Sequence, residues 1–469
     1  MQKIIFVLTF FLMSGCIQKN KEQTTSPSKN NPDIITDKFS LEDLKHRTFL
    51  YFWELAEPGN GQIPDRWPTK SFSSIAATGF GLAAYIAGVE NNYITREEAA
   101  GRVLKTLKFY DKLAQGHTSK GIGGYKGFFY HFLDMKTGER FEEVELSTID
   151  TGWLMAGILC CQSYFEKNNE TETEIREIAD KLFRRVEWDW AMNGKDAMSM
   201  GWHPESGFIE SYWYGYNEAM LLVLLAIGSP SHPIPAAAWD SWTSKYLWAE
   251  WFGLEHLNFG PLFGHQYSHM FIDFRGIYDE YMKVKGIDYF ENSRRATLAQ
   301  QAFGADNPGA FKDYTSEIWG LTACDGPGTV EKIWNGKQIL FEGYSARGSA
   351  SDYLVDDGTI APTAAGGSIP FAPEICLPAL ENMFKKYGRV LYQEYGFKDA
   401  FNPTFTWGNG NENGWFDVDY IGIDQGPIVI MLENYESGLI WDIMKKNQYI
   451  IAGLKKAGFT GGWLDKPKE

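Results

Sequence analysis

The sequence lacks the marks of several large classes of protein. A transmembrane helix needs about 20 apolar residues, and no apolar run beyond residue 16 is that long. It has no cluster of Lys and Arg, and its formal net charge is −16, so a nucleic-acid partner is not expected. Cysteine is scarce, at 5 residues without a CxxC pair, and there is no H-E-x-x-H zinc motif, Gly-rich phosphate loop or nucleophile elbow.

The first 37 residues are typical of an exported bacterial lipoprotein. Residues 4–13 form an apolar run that is too short for a mature membrane helix but fits a signal peptide. The following Cys16 completes a string, Leu12-Met13-Ser14-Gly15-Cys16, that resembles a lipobox. We therefore expect residues 1–16 to be the signal peptide with Cys16 lipidated, although an ordinary signal peptide with an incidental Cys would look similar. Residues 17–37 are polar and predict a flexible tether, so the lipid would be the protein's only membrane contact, at the cell envelope.

Aromatic residues, in contrast, are abundant. They make up 16% of the chain, and 17 of them are Trp. Many lie beside Gly and polar residues, as in Gly201-Trp202-His203 and Tyr212-Trp213-Tyr214-Gly215-Tyr216. A protein core does not require that placement, whereas a sugar-binding cleft does, because a pyranose ring has apolar faces and polar edges. The composition favours a carbohydrate-binding site.

Residues 38–469 contain no second linker, so one domain is expected, and two kinds of helix alternate along it. The first kind is amphipathic, as in residues 95–114, which open with a capping box of Thr95 and Glu98, and in residues 173–192. Less regular amphipathic helices are predicted for residues 289–304 and 439–457. The second kind is apolar nearly all round, which indicates a helix buried on every side. The segments of this second kind are residues 75–89, 151–161, 219–227 and 428–432.

The alternation of half-buried and fully buried helices predicts two concentric layers. We therefore expect an all-α fold, an (α/α)6 barrel, in which strands are confined to small β-hairpin loops. The strand signals are local, at residues 128–133, at residues 141–145, and at a possible hairpin turn at Asn335-Gly336. In such a barrel, loops at one end of the inner helices would meet at a central cleft.

Three polar motifs fall where inner helices are predicted to begin, at residues 147–153, 207–219 and 422–427. With these motifs the sequence resembles the glycoamylase-like family, specifically the bacterial β-1,2-glucanases of glycoside hydrolase family 144. Further matching stretches are Ser229-Pro230-Ser231-His232-Pro233, His265-Gln266-Tyr267-Ser268-His269, Asp273-Phe274-Arg275-Gly276 and Asp357-Gly358-Thr359-Ile360-Ala361-Pro362.

The resemblance implies the (α/α)6 fold and a hydrolase that cleaves β-1,2-glucan or sophoro-oligosaccharides, with an inverting acid/base mechanism expected. A monomer without a cofactor is expected. Three alternatives remain open at this point. A transglycosylase or other glucan-active enzyme, or a polysaccharide lyase, would use the same cleft, and a non-catalytic glycan-binding lipoprotein would keep the aromatic residues without needing paired carboxyl groups.

A glycosidase normally needs one protonated and one ionised carboxyl group. Glu218 is the candidate general acid, because it follows a Trp/Tyr cluster and an apolar setting raises the pKa of a carboxyl group. It could instead be a first-turn Glu that the helix dipole favours. Glu210 is the second candidate for the acid. Asp424 and Asp150 compete for the ionised role at predicted helix N-termini, where each could equally be a helix cap.

The candidate substrate-binding residues are aromatic or polar side chains near these motifs, although any one of the aromatic residues could belong to the core. They are Glu210, Trp202, Trp213, Tyr216, Asn217, Arg275 and Trp319.

No metal is expected. His265, His269 and Asp273 repeat every four residues, which could present a metal site, but a structural or substrate-contacting role is the preferred interpretation. Residues 409–419 are acidic and Gly-rich, so a calcium loop is conceivable, yet they lack the EF-hand spacing.

Overall fold

The structure, a computed structural model, describes residues 38–465, so the predicted signal peptide, the tether and Cys16 lie outside the described residues. Fifteen α-helices lie in the described range. They are α1 Leu41–Glu54, α2 Ile75–Glu90, α3 Arg96–Lys112, α4 Thr148–Tyr164, α5 Glu170–Arg184, α6 Met220–Gly228, α7 Ala238–Thr243, α8 Phe263–Phe271, α9 Glu280–Lys285, α10 Tyr289–Asp306, α11 Pro362–Gly366, α12 Pro373–Leu391, α13 Gly422–Glu436, α14 Leu439–Met444 and α15 Gln448–Lys456. No helix among them is long and apolar enough to cross a membrane.

Six of these helices form a closed inner ring, in the order α2, α4, α6, α8, α11 and α13. Successive members contact one another, and α13 contacts α2 to close the ring. The step from α8 to α11 includes Gln266, whose amide donates to the Ala364 carbonyl oxygen at 2.9 Å and to Ser368 Oγ at 2.8 Å. Every residue of α6 is buried, as the apolar pattern of that segment predicts.

Six further helices surround the ring. Helix α1 packs on α2 and α13, α3 on α2, α5 on α4, α15 on α6, α10 on α8, and α12 on α11. Their apolar faces point inward; α3, for example, buries Val103 and Leu107 and begins with the predicted capping box of Thr95 and Glu98. The predicted (α/α)6 barrel is therefore confirmed.

The inner helices approach one another closely through glycine. A Cβ atom on Gly79 of α2 would lie 2.4 Å from the Trp153 carbonyl oxygen of α4, and a Cβ atom on Gly157 of α4 would lie 2.0 Å from the Gly79 carbonyl oxygen. Both neighbours are backbone atoms, which cannot move aside without separating the two helices. The α2–α4 contact therefore requires residues without a side chain at both positions.

The strands are short, antiparallel and located in the loops. One sheet has five strands, in the order β3 Gly124–Tyr125, β4 Phe128–Tyr130, β6 Leu146–Ser147, β7 Gly201–His203 and β8 Gly207–Phe208. The remaining strands form pairs, which are β1 Arg66–Trp67 with β21 Tyr420–Ile421, β2 Ser73–Ser74 with β5 Phe132–Leu133, β9 Trp248–Trp251 with β10 Leu254–Leu257, β11 Ala323–Cys324 with β14 Ser345–Ala346, β12 Val330–Trp334 with β13 Lys337–Phe341, β15 Gly348–Ala350 with β16 Tyr353–Val355, β17 Tyr392–Gln393 with β18 Gly396–Phe397, and β19 Phe401–Asn402 with β20 Trp415–Phe416.

Four local predictions differ from the structure. Residues 141–145 form no strand, although the Phe141 amide and the Glu145 carbonyl oxygen make single backbone hydrogen bonds; the strand here is β6, where Leu146 and Ser147 lie between β4 and β7. The helix predicted for residues 173–192 ends at Arg184, and that for residues 439–457 is divided, because Asn447 caps a new helix. Helix α6 begins at Met220 rather than at Glu218. The hairpin predicted at Asn335-Gly336 is confirmed as β12–β13.

Candidate active site

Acidic side chains gather at the end of the barrel where α2, α4 and α13 begin. Strand β6 leads directly into α4, and strand β21 leads directly into α13. Strand β1 pairs with β21, with Arg66 opposite Ile421, and this pairing brings Asp65 and Arg66 to the start of α13. Helix N-termini favour nearby negative charge, so this end of the ring suits a group of carboxylates.

Glu218 lies in a turn just before α6, and it is buried, with 9% of its surface exposed. The turn is held by Ser268 of α8, whose hydroxyl donates to the Glu218 carbonyl oxygen at 2.9 Å. The side-chain atom Oε2 has no hydrogen-bond partner among the described residues. Burial, with a smaller contribution from the charge of Asp150, raises the pKa of Glu218 to about 7. A carboxyl group with that pKa can hold a proton near neutrality and release it during a reaction.

Asp150 is in the first turn of α4, where Ser147 is the helix cap. The Ser147 hydroxyl accepts from the Asp150 amide and donates to Asp150 Oδ2, so Asp150 is not the cap. On its other side, Asp150 Oδ2 lies 3.5 Å from His131 Nε2. Burial raises the pKa of Asp150 above its ordinary value, although His131 and Ser147 act in the opposite direction.

Asp424 is in the first turn of α13, which begins at Gly422, before the apolar segment 428–432 that predicted this helix. Its side chain is in hydrogen-bond contact with the carboxyl group of Asp399. Burial raises the pKa of both groups, so the helix N-terminus does not by itself keep Asp424 ionised. Asp399 Oδ2 is fixed by the amide of Asp325, which donates to it at 2.7 Å.

Arg66 is the cation that lies among these carboxylates. Its guanidinium group donates to Asp325 Oδ2 at 2.6 Å and to Asp65 Oδ2 at 3.1 Å, and it lies 3.8 Å from Asp419 Oδ2. Three acidic residues therefore share one positive charge, while Asp399 and Asp424 lie beside them. The negative charge at this end exceeds what Arg66 neutralises, which favours carboxyl groups that keep a proton.

Tyr267 of α8 is linked to the segment that carries Asp424. Its hydroxyl donates to the Ile423 carbonyl oxygen at 3.1 Å, one residue before Asp424. Burial and the charges of Asp424 and Glu218 raise the pKa of the Tyr267 hydroxyl well above its ordinary range. Both carboxyl groups therefore act on the same hydroxyl group, which indicates that Glu218 and Asp424 belong to the same end of the barrel.

The residues suggested as a metal site do not converge. His265 Nε2 lies 3.2 Å from the Phe259 carbonyl oxygen, His269 Nε2 lies 3.1 Å from Ser293 Oγ, and Asp273 is paired with Arg275 and Lys445. In the described part of the chain, the acidic residues that do converge are another set, with one oxygen each within 4.8 Å of the others. They are Asp325, Asp399 and Asp417. Three oxygen ligands fall short of the six to eight that calcium takes.

Among the aromatic candidates, Trp202 alone is both half-buried and next to the acidic end of the barrel. Strand pairing places it opposite Leu146, beside the cap of α4, and its ring lies 5.2 Å from that of Tyr125. Trp213 is buried and donates to Thr148 Oγ1 at 2.9 Å. Tyr216 is buried against Tyr289.

The structure corrects the prediction that Trp319 contacts sugar. This side chain has 0% exposure and packs in the core, where a Cβ atom on Gly304 would lie 2.8 Å from the Trp319 Cβ. Trp213 and Tyr216 are likewise placed to support the site rather than to stack on a ligand. The Gly and polar residues beside these aromatic residues therefore indicate turns rather than a cleft. Of the four aromatic candidates, Trp202 is the one that fits a sugar-stacking position.

Three polar candidates make contacts that favour other roles. Arg275 pairs with Asp273 and lies 4.3 Å from the ring of Trp441, which follows the C-terminal end of α13, about 20 Å along that helix from Asp424. Asn217 Oδ1 accepts from the Ala219 amide at 2.9 Å, so this side chain shapes the turn that carries Glu218. Glu210 is exposed and lacks the apolar surroundings that a buried acid requires.

Four residues of the site were not predicted from the sequence: His131, Asp65, Arg66 and Asp399. His131 could have been found, because it is the one histidine among the aromatic and apolar residues of the stretch 128–133. Asp399 gave no local signal, since its position depends on strand β19 and on the distant Asp325 and Asp424.

The helical barrel and its buried carboxyl groups define a protein of the glycoside hydrolase class. The model of the Glycoamylase family, described as "Putative glucoamylase", matches residues 210–448, just over half of the chain. This chain belongs to that family, which confirms the predicted resemblance.

Two of the similar proteins are named for enzymes that act on β-1,2-glucan or its oligosaccharides. An exo β-1,2-glucooligosaccharide sophorohydrolase (non-reducing end) from Parabacteroides distasonis is 30% identical over 473 residues, covering 94% of this chain and 60% of that protein. The chain thus spans about 60% of the length of this curated relative. An endo-β-1,2-glucanase from Chitinophaga pinensis, solved with sophorotriose and glucose, has 30% identity and a TM-score of 0.77, covering 91% of this chain and 100% of that one. A protein from Bacteroides uniformis that carries the same description as the family has 34% identity and a TM-score of 0.79, with coverage of 91% and 100%.

Proposed function

We propose that this protein is a glycoside hydrolase that cleaves β-1,2-glucan or sophoro-oligosaccharides by an inverting acid/base mechanism. The observation that carries the proposal is the buried Glu218 carboxyl group, whose pKa is about 7 and whose Oε2 makes no hydrogen bond within the described residues. The substrate follows from the relatives named for β-1,2-glucan and its oligosaccharides.

Glu218 is the general acid in this proposal. It gives its proton to the glycosidic oxygen as the bond to the anomeric carbon breaks, so the leaving sugar departs as an alcohol. A water molecule attacks the opposite face of the same carbon, and a second carboxylate takes the proton of that water. The product then has the inverted, α configuration at its reducing end.

Asp424 is the proposed base, and Asp150 has a different role. Asp424 Oδ2 is buried and accepts from no N–H or hydroxyl group of the described residues, so its lone pairs are available to a water molecule. Asp150 Oδ2 is already engaged by Ser147 and faces His131. The charge of Asp150 instead adds to the effect of burial in raising the pKa of Glu218, which helps to keep the acid protonated.

The test is a panel of linkage-defined glucans incubated with the purified protein, with products identified by mass and by the NMR signal of the first anomer formed. We expect β-1,2-glucan to be cleaved with an α product, also in the presence of a chelator. Glucose release from starch without action on β-1,2-glucan would overturn the substrate. Longer oligosaccharides would indicate a transglycosylase, an unsaturated product a lyase, and no product a glycan-binding protein.

We also propose that the protein is a monomer held at the cell envelope by a lipid on Cys16. The lipobox-like string that ends at Cys16 supports the anchor, and the presence of all candidate carboxyl groups in one chain supports the monomer. Cys16→Ala should move the protein to a soluble or unprocessed pool, and sedimentation of the released form should give the mass of one chain. Unchanged fractionation and mass in Cys16→Ala would refute the anchor.

A further inference from the structure

His131 lies between two carboxylates at the acidic end of the barrel. Its Nδ1 is 2.8 Å from Glu145 Oε1, and its Nε2 is 3.5 Å from Asp150 Oδ2. The ring stacks on Phe132, with centroids 3.9 Å apart. The backbone is also fixed, since the His131 amide donates to the Glu145 carbonyl oxygen at 3.0 Å and the Ile75 amide donates to the His131 carbonyl oxygen.

Both ring nitrogens of His131 therefore face an acceptor. A neutral imidazole has a proton on one nitrogen and a lone pair on the other, so one lone pair would oppose a carboxylate. The imidazolium form has a proton on each nitrogen and satisfies both neighbours. With both neighbouring carboxyl groups ionised, the geometry thus favours a positively charged His131.

The charges around His131 agree with this protonation state. Burial lowers the pKa of the imidazole, but Asp150, Glu145 and, more weakly, Asp65 outweigh it and raise the pKa to about 9. Burial raises the pKa of Glu145, but the charge and the hydrogen bond of His131 outweigh it and lower the pKa of that carboxyl group.

We propose that His131 is a positioning residue, which as an imidazolium fixes the Asp150 carboxylate in its ionised form and thereby keeps Glu218 protonated. The inference rests on the proposed function, in which Glu218 is the acid. It assigns a task to a side chain that need not touch the substrate: without the positive charge, the buried Asp150 would take up a proton, and Glu218 would lose the negative neighbour that opposes its ionisation.

The direct test does not require a substrate. In the wild-type protein with isotope-labelled histidine, the NMR signals of His131, assigned by their loss in His131→Gln, should show a doubly protonated ring at pH 7. Glu145→Gln removes one carboxylate and should lower the titration midpoint of His131 by about one pH unit. A neutral His131 at pH 7, or a midpoint that Glu145→Gln does not move, would overturn the proposal even if Glu218 is the acid.

The second test measures the consequence for catalysis. In His131→Gln, the alkaline limb of the kcat/KM profile should move to lower pH by about one unit, because Glu218 then ionises more easily, while KM changes less than about twofold. His232→Gln is the matched control, since His232 faces Asp189 at 3.7 Å on the surface. An equal loss of activity at every pH would mean a merely structural role. Inactive wild-type protein would refute the proposed function and leave the NMR result to decide the state of His131.

Discussion

The carboxyl groups of Asp399 and Asp424 are in hydrogen-bond contact although both residues are buried. Two ionised carboxylates cannot form such a contact, so the pair holds at least one proton. Burial, together with the charge of Asp424, raises the pKa of Asp399 well above its ordinary range, whereas the pKa of Asp424 is raised by burial and the hydrogen bond from Asp399 opposes that effect. Asp399 is therefore the member that keeps the proton and donates it in a hydrogen bond to Asp424.

Asp399→Asn should change the pH at which Asp424 ionises. An amide N–H is a weaker donor than the carboxyl O–H of Asp399, so it stabilises the Asp424 carboxylate less; the pKa of Asp424 rises, and the acid limb of the kcat/KM profile should move to higher pH. The measurement is the pH profile on β-1,2-glucan. Asp356→Asn is the control, because Asp356 is a different aspartate, whose pKa burial raises to about 6 beside Tyr314. An unmoved acid limb in Asp399→Asn would show that the two groups do not share a proton.

Glu218→Gln should make the protein more stable at alkaline pH. Burial raises the pKa of Glu218 from 4.5 to about 7 in the folded protein, so folding favours the protonated form. Glu218 makes its full contribution to the free energy of unfolding below pH 4.5. That contribution is lost as the pH rises through about 7, so the free energy of unfolding is lower by about 3 kcal/mol above that pH. In denaturant unfolding, the wild-type protein and Glu218→Gln should have similar free energies of unfolding at pH 4, and these should differ most at pH 8. A constant difference at every pH would contradict the raised pKa.

Gly79→Ala should destabilise the barrel. The new methyl group would meet the backbone of Trp153 and Leu154 within 2.7 Å, so α2 and α4 would have to separate, at a cost of about 1–3 kcal/mol. Gly101→Ala in α3 is the matched control, since no atom lies within 4 Å of its added Cβ and Ala is a better helix former by about 1 kcal/mol. Urea unfolding of both variants measures the difference. Equal stability of the two variants would refute the close-approach argument.

The architecture could be predicted because it depends on patterns within single helices. Apolar residues all round residues 219–227 indicated an inner helix, and the capping box at Thr95 gave the start of an outer one. The five-stranded sheet could not be predicted, because its strands are two or three residues long and one of its pairings, Leu146 with Trp202, joins residues more than 50 positions apart. Strands this short contain almost no alternation of apolar and polar residues from which they could be predicted.

The candidate site could be predicted only in part, for the same reason. Glu218, Asp150 and Asp424 lie beside inner helices whose apolar sequences mark them. Arg66, His131 and Asp399 come from loops and strand ends, and long-range pairing alone brings them to the same place. Trp213 and Trp319 were predicted in the cleft but are buried, since a Trp beside polar residues fits a core position as well as a cleft.

Glu218→Gln should separate the acid from every other carboxyl group in the site. The amide keeps the shape of the side chain but has no transferable proton, so kcat should fall by about 10²–10⁴-fold while substrate binding survives. A substrate with a low-pKa leaving group should lose less, because its oxygen needs less protonation, provided that it fits the cleft. Asp424→Asn should lower kcat equally on both substrates, since the attacking water must be activated whichever leaving group departs.

Glu210→Gln is the control for that experiment, because Glu210 is exposed on the same motif. It should keep near wild-type turnover. The pH profile should lose its alkaline limb in Glu218→Gln, which no longer has an acid to ionise, and its acid limb in Asp424→Asn. If Glu218→Gln instead turns over normally and Glu210→Gln is inactive, the acid is Glu210, and the loop that carries it must close over the cleft to bury that carboxyl group when substrate binds.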